Sequence, residues 1–439
     1  MHYTNDRQYD CFIACLGVIG AGYVGLTTAV CLAKLGHEVV VSDVNSGRID
    51  LLNQGISPIV ENGLEELLRA GISSRNLRFT LSNLEAVKGS EFVFICLPTP
   101  QGDNGVADTS YVELAAGEIA SSLESGSIVI TKSTVPVGST KVIEAALNRK
   151  DVDVVSNPEF LREGSAIHDF LNPDRIVVGS SNNQASQRVA EIYGSLDAPC
   201  VITDPASAET IKYAANAFLA TKISYINAIA ALCEGVGADV LAVIEGIGLD
   251  KRIGSAFLQP GPGWGGSCFP KDSKALVKIA ENAGYDFALL RGVIEVNEQQ
   301  YQRVVNKVLS VRNNSEAEFT VAVLGLTFKA DTDDRRDSPA LFISHQLRDK
   351  GVTVRAFDPT VKSIDSATDL AGIQLFDSMY DAVVGCDAIA VLTEWNEIRD
   401  IDPIQVAKLM KSKVIIDARN ILDREVWQSN GFSYQGVGR

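Results

Sequence analysis

Short runs of apolar, β-branched residues alternate with helical patterns along much of the chain, and this alternation constrains the fold more than any other feature. In the first half the runs are Ile13–Ile19, Val39–Ser42, Phe92–Leu97, Ser127–Thr131, Val152–Ser156 and Ile176–Val178. Each run predicts a strand that is buried on both faces, as in a parallel sheet covered by helices. The pattern returns at Thr320–Leu324, Thr353–Phe357, Ala388–Leu392 and Val414–Ile416. The predicted fold class is therefore α/β with two doubly wound, Rossmann-like domains, and Gly20 and Gly325 each end a strand of the same type.

A helical region separates the two alternating parts. From Pro205 to about Cys233 apolar residues recur near the helical period, and no glycine interrupts them before Gly235. A second helix is predicted from about Glu295 to Val311. A long helix that is apolar on more than one side often forms a spine between domains or a contact between subunits. The predicted domains are 1–204, 205–312 and 313–439, with the helical domain in the middle.

The charge, the cysteines and the histidines limit the classes of partner and cofactor. A formal net charge of −16 over 439 residues argues against nucleic acid and anionic membranes, because both attract basic surfaces. No apolar run has the length of a membrane span and the first ten residues are polar, so we expect a cytoplasmic protein without a membrane segment or signal peptide. The cysteines are scattered, with Cys11 and Cys15 the one close pair, and the histidines share no ligand spacing. Reduced thiols and no metal are therefore expected.

A glycine-rich turn follows the first predicted strand and opens a helix: Gly20-Ala21-Gly22-Tyr23-Val24-Gly25. In a dinucleotide-binding turn the first glycine allows the bend, the second lets the backbone approach the pyrophosphate, and the third permits close helix packing. Asp43 lies 18 residues after Gly25 at the end of the next strand, where a carboxylate accepts hydrogen bonds from ribose hydroxyls and repels a 2′-phosphate. The sequence therefore favours NAD, with the alternative that the glycines serve only the turn. Arg48 could brace the adenosine end or be a solvated helix residue.

Polar residues follow three further predicted strands, at the edge of the sheet where ligands bind in open α/β folds. The loops 97–100 and 133–138 contain prolines, which fix them so that the hydroxyls of Thr99, Ser133 and Thr134 could reach a cofactor or substrate. A turn-capping role is equally open for Thr99. Glu159 and Glu163 follow the next strand and are expected at the same edge.

The segment 261–272 (GPGWGGSCFPKD) joins a glycine-rich loop to a single cysteine, just before a predicted helix from Lys271 to Ala283. Glycines let the backbone lie next to a ligand. Near a helix N-terminus and beside Lys271, a Cys268 thiolate would be stabilised and its pKa lowered. Cys268 is therefore the predicted nucleophile, against the alternative of an inert buried thiol.

Two polar residues lie on the long helix among otherwise apolar turns. Lys212 and Asn216 are four residues apart, which places them on one face of the helix. Their position is out of keeping with a purely structural role. From spacing alone, however, a surface ion pair between Lys212 and Glu209 is the preferred interpretation of the lysine.

Over nearly its whole length the sequence resembles the UDP-glucose 6-dehydrogenase family, within the larger group of UDP-glucose and GDP-mannose dehydrogenases. The matching blocks are Gly20–Leu26, Ser133–Gly138, Asn157–Gly179, Glu209–Lys222, Gly261–Asp272, Phe328–Pro339 and Ile415–Ile421. The resemblance implies a homodimer built on the central helix and oxidation of UDP-glucose at C6 to UDP-glucuronate, with two NAD and one water consumed. The apolar surface of that helix also favours a symmetric dimer, with Ile223, Ile226 and Ile229 facing the partner copy.

The resemblance implies a covalent mechanism at Cys268. After a first hydride transfer the thiol adds to the aldehyde as a thiohemiacetal, a second hydride transfer leaves a thioester, and water releases the acid. The physical reason is that an aldehyde has no readily transferable hydride until a nucleophile makes its carbon tetrahedral.

Further roles are implied by the same resemblance. Lys212 and Asn216 would stabilise alkoxide and oxyanion character, and Asp272 would work with Thr134 and Glu159 to position and deprotonate water. The implied cofactor contacts in addition to the glycine turn are Glu163, Lys271 and Arg336. The implied substrate contacts are Glu159, Phe160, Leu161, Arg162, Glu163, Lys212, Asn216, Arg252, Phe257, Gly265, Phe328, Lys329 and Arg419, the last matching an arginine that the family can contribute to a neighbouring subunit.

The sequence departs from the family pattern at Gln259, Trp264 and Arg335, which flank the expected nucleotide site. The sugar nucleotide is therefore less fixed than the reaction, and a sibling enzyme acting on GDP-mannose or a UDP-N-acetylhexosamine is the main alternative. A non-catalytic NAD-binding regulator is an alternative of another class. Such a protein would be expected to lose catalytic residues that are all present here.

Overall fold

Two α/β units make up the chain, and each has a sheet and a hydrophobic core of its own. The structure, a computed structural model, describes residues 12–102, 107–312 and 318–439. Unit 1 comprises the described residues within Met1–Ala215 and Lys274–Ala283, and unit 2 comprises those within Asn216–Ser273 and Gly284–Arg439. The predicted class, two Rossmann-like domains with a long central helix, is confirmed. The division into three domains stays a prediction, and Cys11 lies outside the described residues.

The sheet of unit 1 has eight strands in the order β3-β2-β1-β4-β5-β6-β7-β8. The strands are β1 Cys15–Ile19, β2 Glu38–Ser42, β3 Leu77–Thr80, β4 Phe92–Ile95, β5 Ile128–Thr131, β6 Asp153–Ser156, β7 Ile176–Gly179 and β8 Cys200–Thr203. Neighbours are parallel except β6 and β7, which meet antiparallel at Ser156 and Gly179. The sequence predicted all of these strands except β3 and β8, the two edge strands, whose residues are partly exposed.

Helices cover this sheet and hold the turn after β1 in place. They are α1 Tyr23–Lys34, α2 Ser46–Asn53, α3 Leu64–Ser73, α4 Asn83–Val87, α5 Ser110–Ile119, α6 Ser139–Leu147, α7 Ala166–Leu171 and α8 Asn183–Ile192. Helix α1 is buried from Gly25 to Ala33, which explains its apolar composition. Its N-terminus is thereby fixed at the end of β1.

Helix α9, Pro205–Val236, begins in unit 1 and continues into unit 2. By length and composition it is the one described helix able to cross a membrane, but 44% of its most apolar 18-residue window is buried in the fold. Its buried side chains include Lys212 and Asn216, which suit a core helix and would be costly in lipid. The prediction that Ile226 faces a partner copy was wrong, because Ile226 is fully buried in the core of unit 2. Apolar residues surround this helix, so periodicity did not distinguish its faces.

Unit 2 has a six-stranded parallel sheet in the order β11-β10-β9-β12-β13-β14. The strands are β9 Phe319–Leu324, β10 Val352–Phe357, β11 Gln374–Leu375, β12 Ala388–Val391, β13 Val414–Asp417 and β14 Ser433–Gly436. The helices after α9 are α10 Val240–Gly248, α11 Phe269–Asn282, α12 Ala288–Ser310, α13 Pro339–Asp349, α14 Met379–Val383, α15 Asn396–Arg399, α16 Pro403–Leu409 and α17 Arg424–Ser429, with a 3-10 turn at Thr368–Leu370. Helix α11 starts in unit 2 and ends in unit 1. The predicted helices near residues 271 and 295 start earlier than expected, at Phe269 and Ala288.

The first strand of each sheet ends in the same kind of turn. Gly20 follows β1 with φ +96° and Gly325 follows β9 with φ +94°, a backbone conformation that favours glycine. The carboxylate of Asp43, after β2, accepts a hydrogen bond from the N–H of Ala21. The carboxylate of Asp358, after β10, accepts one from the N–H of Leu326. The two sheets therefore share a local geometry as well as a strand order.

Candidate active site

The turn between β1 and α1 combines three glycines with an uncapped helix N-terminus. A Cβ at Gly25 would lie 1.8 Å from the carbonyl oxygen of Gly20, so only glycine lets α1 pack this close to the turn. A Cβ at Gly22 would meet nothing within 4 Å, so the space above that residue is open to a ligand. Gly22 is the N-cap of α1, and its position provides no side-chain hydrogen bond to the first helical turn. Backbone N–H groups at such a terminus suit a pyrophosphate, and the residues present fit a dinucleotide.

Asp43 accepts hydrogen bonds from the turn and lies after β2, where the ribose contact is expected. One carboxylate oxygen accepts hydrogen bonds from the N–H of Ala21 at 2.9 Å and from Arg48 at 2.8 Å. The other oxygen accepts from the N–H of Asn45 at 2.9 Å. Arg48 is therefore a partner of Asp43, beside the cofactor turn. The ribose contact itself stays a prediction.

Glu61, a buried carboxylate that belongs to no recognisable sequence pattern, joins the cofactor turn to the loop after β6. The hydroxyl of Tyr23 donates to Glu61, and the N–H of Gly164 donates to Glu61 at 2.7 Å and to the Tyr23 hydroxyl at 2.8 Å. Val24, next along the turn, packs against the core of unit 1. These contacts hold Gly164, and with it the adjacent half-buried Glu163, against the start of α1.

The hydroxyls of Thr99 and Ser133, two of the three that could reach a ligand, form hydrogen bonds between the loops after β4 and β5, and their ligand contacts stay predictions. The Thr99 hydroxyl donates to the carbonyl of Thr134 at 2.7 Å. The Ser133 hydroxyl donates to the carbonyl of Leu97 at 2.7 Å. Because a hydroxyl has one proton to donate, Thr99 and Ser133 can offer a ligand only acceptor positions in this arrangement. The Thr134 side chain is half-buried and stays a candidate for contact with substrate or water.

Glu159 and Lys212 form a buried ion pair in unit 1. The Lys212 ammonium donates to Glu159 at 2.9 Å, and both side chains are almost fully buried. The second Glu159 oxygen accepts from the N–H of Leu161 at 2.6 Å. Burial acts to raise the pKa of Glu159, but the ammonium of Lys212 and the Leu161 N–H outweigh it, so that its pKa lies below the usual range. The Glu159 carboxylate is therefore ionised and fixed in position.

The predicted surface pair of Lys212 with Glu209 was wrong. Glu209 is buried, and its carboxylate accepts from the N–H groups of Gly138 at 2.6 Å and Thr140 at 3.0 Å and from the Thr140 hydroxyl at 2.8 Å. Gly138 and Thr140 lie at the start of α6, where a helix N-terminus favours negative charge. Glu209 thus attaches α9 to the loop that carries Thr134. Helical spacing could not reveal the partners of Glu209, because Gly138 and Thr140 are distant from it in sequence.

The residues between Glu159 and Gly164 have different environments. Phe160 lies between two cations, with the Arg175 guanidinium 3.6 Å and the Lys212 ammonium 5.4 Å from its ring centre, and stacking of this kind fixes the ring. Arg162 instead forms a two-bond ion pair with Asp169 at 2.9 and 2.6 Å. Arg162 is therefore committed to Asp169 in this structure, and its predicted substrate contact stays untested.

The predicted nucleophile lies at the start of α11 in unit 2. Cys268 immediately precedes the helix and is partly exposed, with its sulfur 3.5 Å from the Ser267 hydroxyl. One turn later, the fully buried carboxylate of Asp272 accepts from Asn216 at 2.6 Å and from Lys271 at 2.6 Å. A thiol, a carboxylate and an amide are thus assembled within one unit. Lys271 is paired with Asp272 here, and its cofactor contact stays a prediction.

The glycine loop before Cys268 packs tightly against other predicted substrate residues of unit 2. A Cβ at Gly265 would lie 2.0 Å from the carbonyl oxygen of Asp337, and a Cβ at Gly266 would lie 2.8 Å from the Phe328 ring. Trp264 is buried, and its indole N–H donates to Ser224 at 2.9 Å. The departure from the family pattern at Trp264 is therefore accommodated in the protein interior. The two glycines are required by close packing.

The predicted arginine contacts fall into two groups. Arg419 donates to the carbonyl of Phe328 at 2.9 Å and pairs with Glu394 at 3.0 Å, so it lies within unit 2 of its own chain. Arg252 and Arg336 are exposed and pair with the acids two residues before them, Asp250 and Asp334, at 2.6 Å each. Of the remaining predicted contacts, Phe257 is half-buried with φ +62° and Lys329 stacks on the Phe328 ring.

Metal-type clusters were not found in the part of the chain that the structure describes, where no three His, Cys, Asp or Glu residues converge. The cysteines described are free thiols. The reactive groups described above are the Cys268 thiol, the buried carboxylates of Glu159 and Asp272, and their hydrogen-bonding partners. Together with the dinucleotide turn and Asp43, the fold defines the class of protein: an NAD-dependent dehydrogenase.

Comparison with known proteins identifies the family. Residues 14–197 match the NAD binding domain of the UDP-glucose/GDP-mannose dehydrogenase family, 206–299 its central domain and 322–424 its UDP binding domain. The chain belongs to this family, which confirms the resemblance, the cofactor NAD and a UDP-sugar as substrate.

Three relatives illustrate the similarity. UDP-glucose 6-dehydrogenase TuaD of Bacillus subtilis is 44% identical over 97% of this chain and 93% of its own length. The structure of a UDP-glucose dehydrogenase from Pyrobaculum islandicum is 35% identical, with a TM-score of 0.90 over 99% of this chain and all of that chain. A UDP-D-ManNAc dehydrogenase from Pyrococcus horikoshii is 30% identical, with a TM-score of 0.85 over 97% of this chain and 99% of that chain.

Proposed function

We propose that the chain oxidises UDP-glucose to UDP-glucuronate at C6, with two NAD and one water consumed per sugar. The observation that carries the proposal is the group at the start of α11. There the Cys268 thiol lies one helical turn before the buried carboxylate of Asp272, which accepts a hydrogen bond from Asn216. A nucleophile, a proton acceptor and a fixed donor are what a covalent aldehyde oxidation needs.

The thiol makes the second oxidation possible. The Cys268 sulfur adds to the aldehyde carbon, whose oxygen takes a proton, and the resulting thiohemiacetal has a hydride to lose. Loss of that hydride from carbon and of the proton from the hydroxyl leaves a thioester, and attack by water breaks the carbon–sulfur bond to return the thiol and release the acid. NAD, when bound, accepts the hydride in each oxidation.

The buried polar groups supply charge and proton transfer. Lys212 and Asn216 donate hydrogen bonds to the C6 oxygen as it gains negative charge, a task that suits fixed donors in a water-poor site. Asp272 accepts a proton from the attacking water, which Thr134 and Glu159 help to position. The hydrogen bonds from Asn216 and Lys271 hold the Asp272 carboxylate in position for this role.

The choice of UDP-glucose rests on the named relatives. The curated relatives that are 41–45% identical to this chain carry the name UDP-glucose 6-dehydrogenase. The solved UDP-D-ManNAc dehydrogenase, at 30%, is more distant. Glucose and N-acetylhexosamines differ at C2, away from the C6 chemistry, so all of these enzymes can share the same reacting groups.

NADH production from purified protein tests the proposal, with UDP-glucose, UDP-N-acetylglucosamine and GDP-mannose in parallel. We expect about two NADH per UDP-glucose, as the stoichiometry of a four-electron oxidation requires. The variant Asp272→Asn should keep the first turnover but accumulate a protein-bound thioester, visible by mass spectrometry on Cys268. A yield of one NADH per sugar would contradict the four-electron oxidation. Faster NADH production with another sugar nucleotide would contradict the choice of UDP-glucose.

We also propose that two copies pair along α9, through a seam different from the predicted isoleucines. Phe218, Tyr225 and Leu232 lie seven residues apart and are 65%, 55% and 58% exposed. Ala214, four residues before Phe218, and Ala228, between Tyr225 and Leu232, are also exposed. This spacing forms a continuous apolar stripe suited to an antiparallel or parallel helix pair. Large apolar side chains exposed in a row are typical of an interface.

Sedimentation at micromolar concentration tests the dimer. Tyr225→Glu should convert it to a monomer, because the seam cannot bury an unpaired carboxylate at low cost. Ile364→Asp, at a residue that is 90% exposed outside α9, is the matched control and should remain dimeric. A wild-type monomer would remove the proposal. We further propose a cytoplasmic location, which fits the free thiols described.

A further inference from the structure

A buried lysine outside the implied catalytic set lies at the end of β5. Lys132 follows Thr131 directly and its side chain is only 4% exposed. Its ammonium donates to the side-chain oxygen of Asn157 at 3.2 Å and to the hydroxyl of Tyr193 at 3.5 Å, and lies over the Tyr193 and Phe170 rings at 5.7 and 6.0 Å. A fully buried ammonium is costly unless its partners are fixed, so a reason for its presence is needed.

Asn157 is the link between this lysine and Glu159. Its side-chain oxygen accepts from both Lys132 and the Tyr193 hydroxyl, the latter at 2.6 Å, and its side-chain N–H donates to the carbonyl of Val177 at 2.7 Å. Its own N–H donates to the carbonyl of Thr131. Its side-chain amide and its backbone N–H are thus held, two residues before the carboxylate that pairs with Lys212. The direction of the chain leaving β6 is fixed by these bonds.

The charges nearby are those of one carboxylate and two ammonium groups. Glu159 interacts with Lys132 as well as with Lys212, and both cations help to lower its pKa. The other titratable groups that face Lys132 are Tyr193, Cys96 and Cys31. Burial keeps all three neutral, because it raises the pKa of the Tyr193 hydroxyl and raises the pKa of the two thiols to about 12. Burial lowers the pKa of Lys132 itself to about 8. Lys132 therefore changes charge within the ordinary working range of an enzyme.

We propose that Lys132 is a positioning residue for the dehydrogenase reaction: through Asn157 and by its charge it holds Glu159 in the ion pair with Lys212. This inference rests on the proposed roles of Glu159 and Lys212. The action of Lys132 is indirect. Lys132 acts through Asn157 on the pair of Glu159 and Lys212, the two residues proposed to contact the substrate.

The pH dependence of kcat gives one test, with saturating sugar nucleotide and NAD. As pH rises through about 8, Lys132 loses its proton and wild-type kcat should fall. In Lys132→Arg the charge persists because a guanidinium does not titrate in this range, so the fall should move to higher pH. In Lys132→Met kcat should be low throughout, by roughly 10- to 100-fold as expected for a displaced catalytic group, with the KM for NAD within about twofold. The same pH profile in all three proteins would overturn the inference.

A crystal structure of Lys132→Met gives a second test that needs no activity. We expect the Asn157 side chain to turn and the pair of Glu159 and Lys212, 2.9 Å apart in the wild type, to separate or lose definition. An unchanged pair would refute the positioning role even if UDP-glucose proves to be the wrong substrate. Tyr193→Phe, which removes one hydrogen bond from Asn157 but retains the ring, is the matched variant if Lys132→Met does not fold, and should loosen the same pair.

Discussion

Removing one partner of the buried pair between Glu159 and Lys212 should destabilise unit 1 by more than a surface ion pair would. At a separation of 2.9 Å their attraction is about 6 kcal/mol at an effective dielectric constant near 20, offset by several kcal/mol of desolvation for each ion. Loss of a single partner leaves the other charge buried and costs about 3–5 kcal/mol. The perturbations are Glu159→Gln, Lys212→Met and the double variant.

The structure also predicts which of the two single variants is destabilised more. After Lys212→Met, Glu159 still has Lys132 nearby and the N–H of Leu161 as partners. After Glu159→Gln, the buried Lys212 ammonium loses the carboxylate that lies 2.9 Å from it, and Lys132 loses the same negative charge nearby. Glu159→Gln should therefore cost more, and the double variant should cost less than the sum of the single ones by about 1–3 kcal/mol.

Urea unfolding near neutral pH, followed by far-UV circular dichroism, measures these costs. The three tryptophans of the sequence, Trp264, Trp395 and Trp427, all belong to unit 2, so tryptophan fluorescence reports on that unit separately.

The stability contributed by the pair should also depend on pH. Because the pKa of Glu159 is lowered in the fold, this contribution to the free energy of unfolding is complete above the ordinary glutamate pKa range and is lost as pH falls through the lowered pKa. Additive costs, or a larger cost for Lys212→Met, would refute the reasoning.

Three further outcomes are expected. Cys268→Ser should abolish steady-state turnover while the Kd for NAD, measured by calorimetry, stays within about twofold, because the hydroxyl is a poor nucleophile and a poor leaving group; full activity would remove the covalent mechanism. Asp43→Ala should raise the KM for NAD roughly tenfold or more and narrow the preference over NADP, whereas Arg48→Ala should have a smaller effect; unchanged discrimination would mean that the ribose contact lies elsewhere. Glu209→Gln should lower the free energy of unfolding by about 1–3 kcal/mol, because a charged acceptor of three hydrogen bonds is lost, and an unchanged urea midpoint would contradict the role of Glu209 at the start of α6.

The sequence was most informative where local chemistry determines the outcome. The apolar strands, the glycine turn, Asp43 and the position of Cys268 before a helix each depend on a few adjacent residues, and the structure has them as predicted. Lys212 was misinterpreted because helical spacing identifies only neighbours on the same helix, whereas its partner Glu159 is 53 residues away in the chain. Lys132 could not be selected at all. A single lysine after a short strand has no pattern, and its burial depends on the packing of residues 157 and 193.

The matching turns at Gly20 and Gly325 show how far a shared geometry predicts a shared ligand. In unit 1 the helix begins at Tyr23, directly after the turn, so its N-terminal N–H groups lie at the end of β1. In unit 2 helix α13 begins only at Pro339. There Asp358 accepts from the N–H groups of Leu326 and Thr327, and its burial to 1% exposure leaves it no surface for a ribose.

The segment between that second turn and α13 has another use. It contains Phe328 and Arg336, and it packs on the glycine loop before Cys268 through the Phe328 ring and the carbonyl of Arg336. In a dinucleotide-binding turn the pyrophosphate lies at a helix N-terminus directly after the turn, and of the two turns described here it is the one in unit 1 that leads straight into a helix. The shared strand order is therefore accompanied by a dinucleotide-binding turn in unit 1. In unit 2 the segment after the corresponding turn packs on the glycine loop before Cys268.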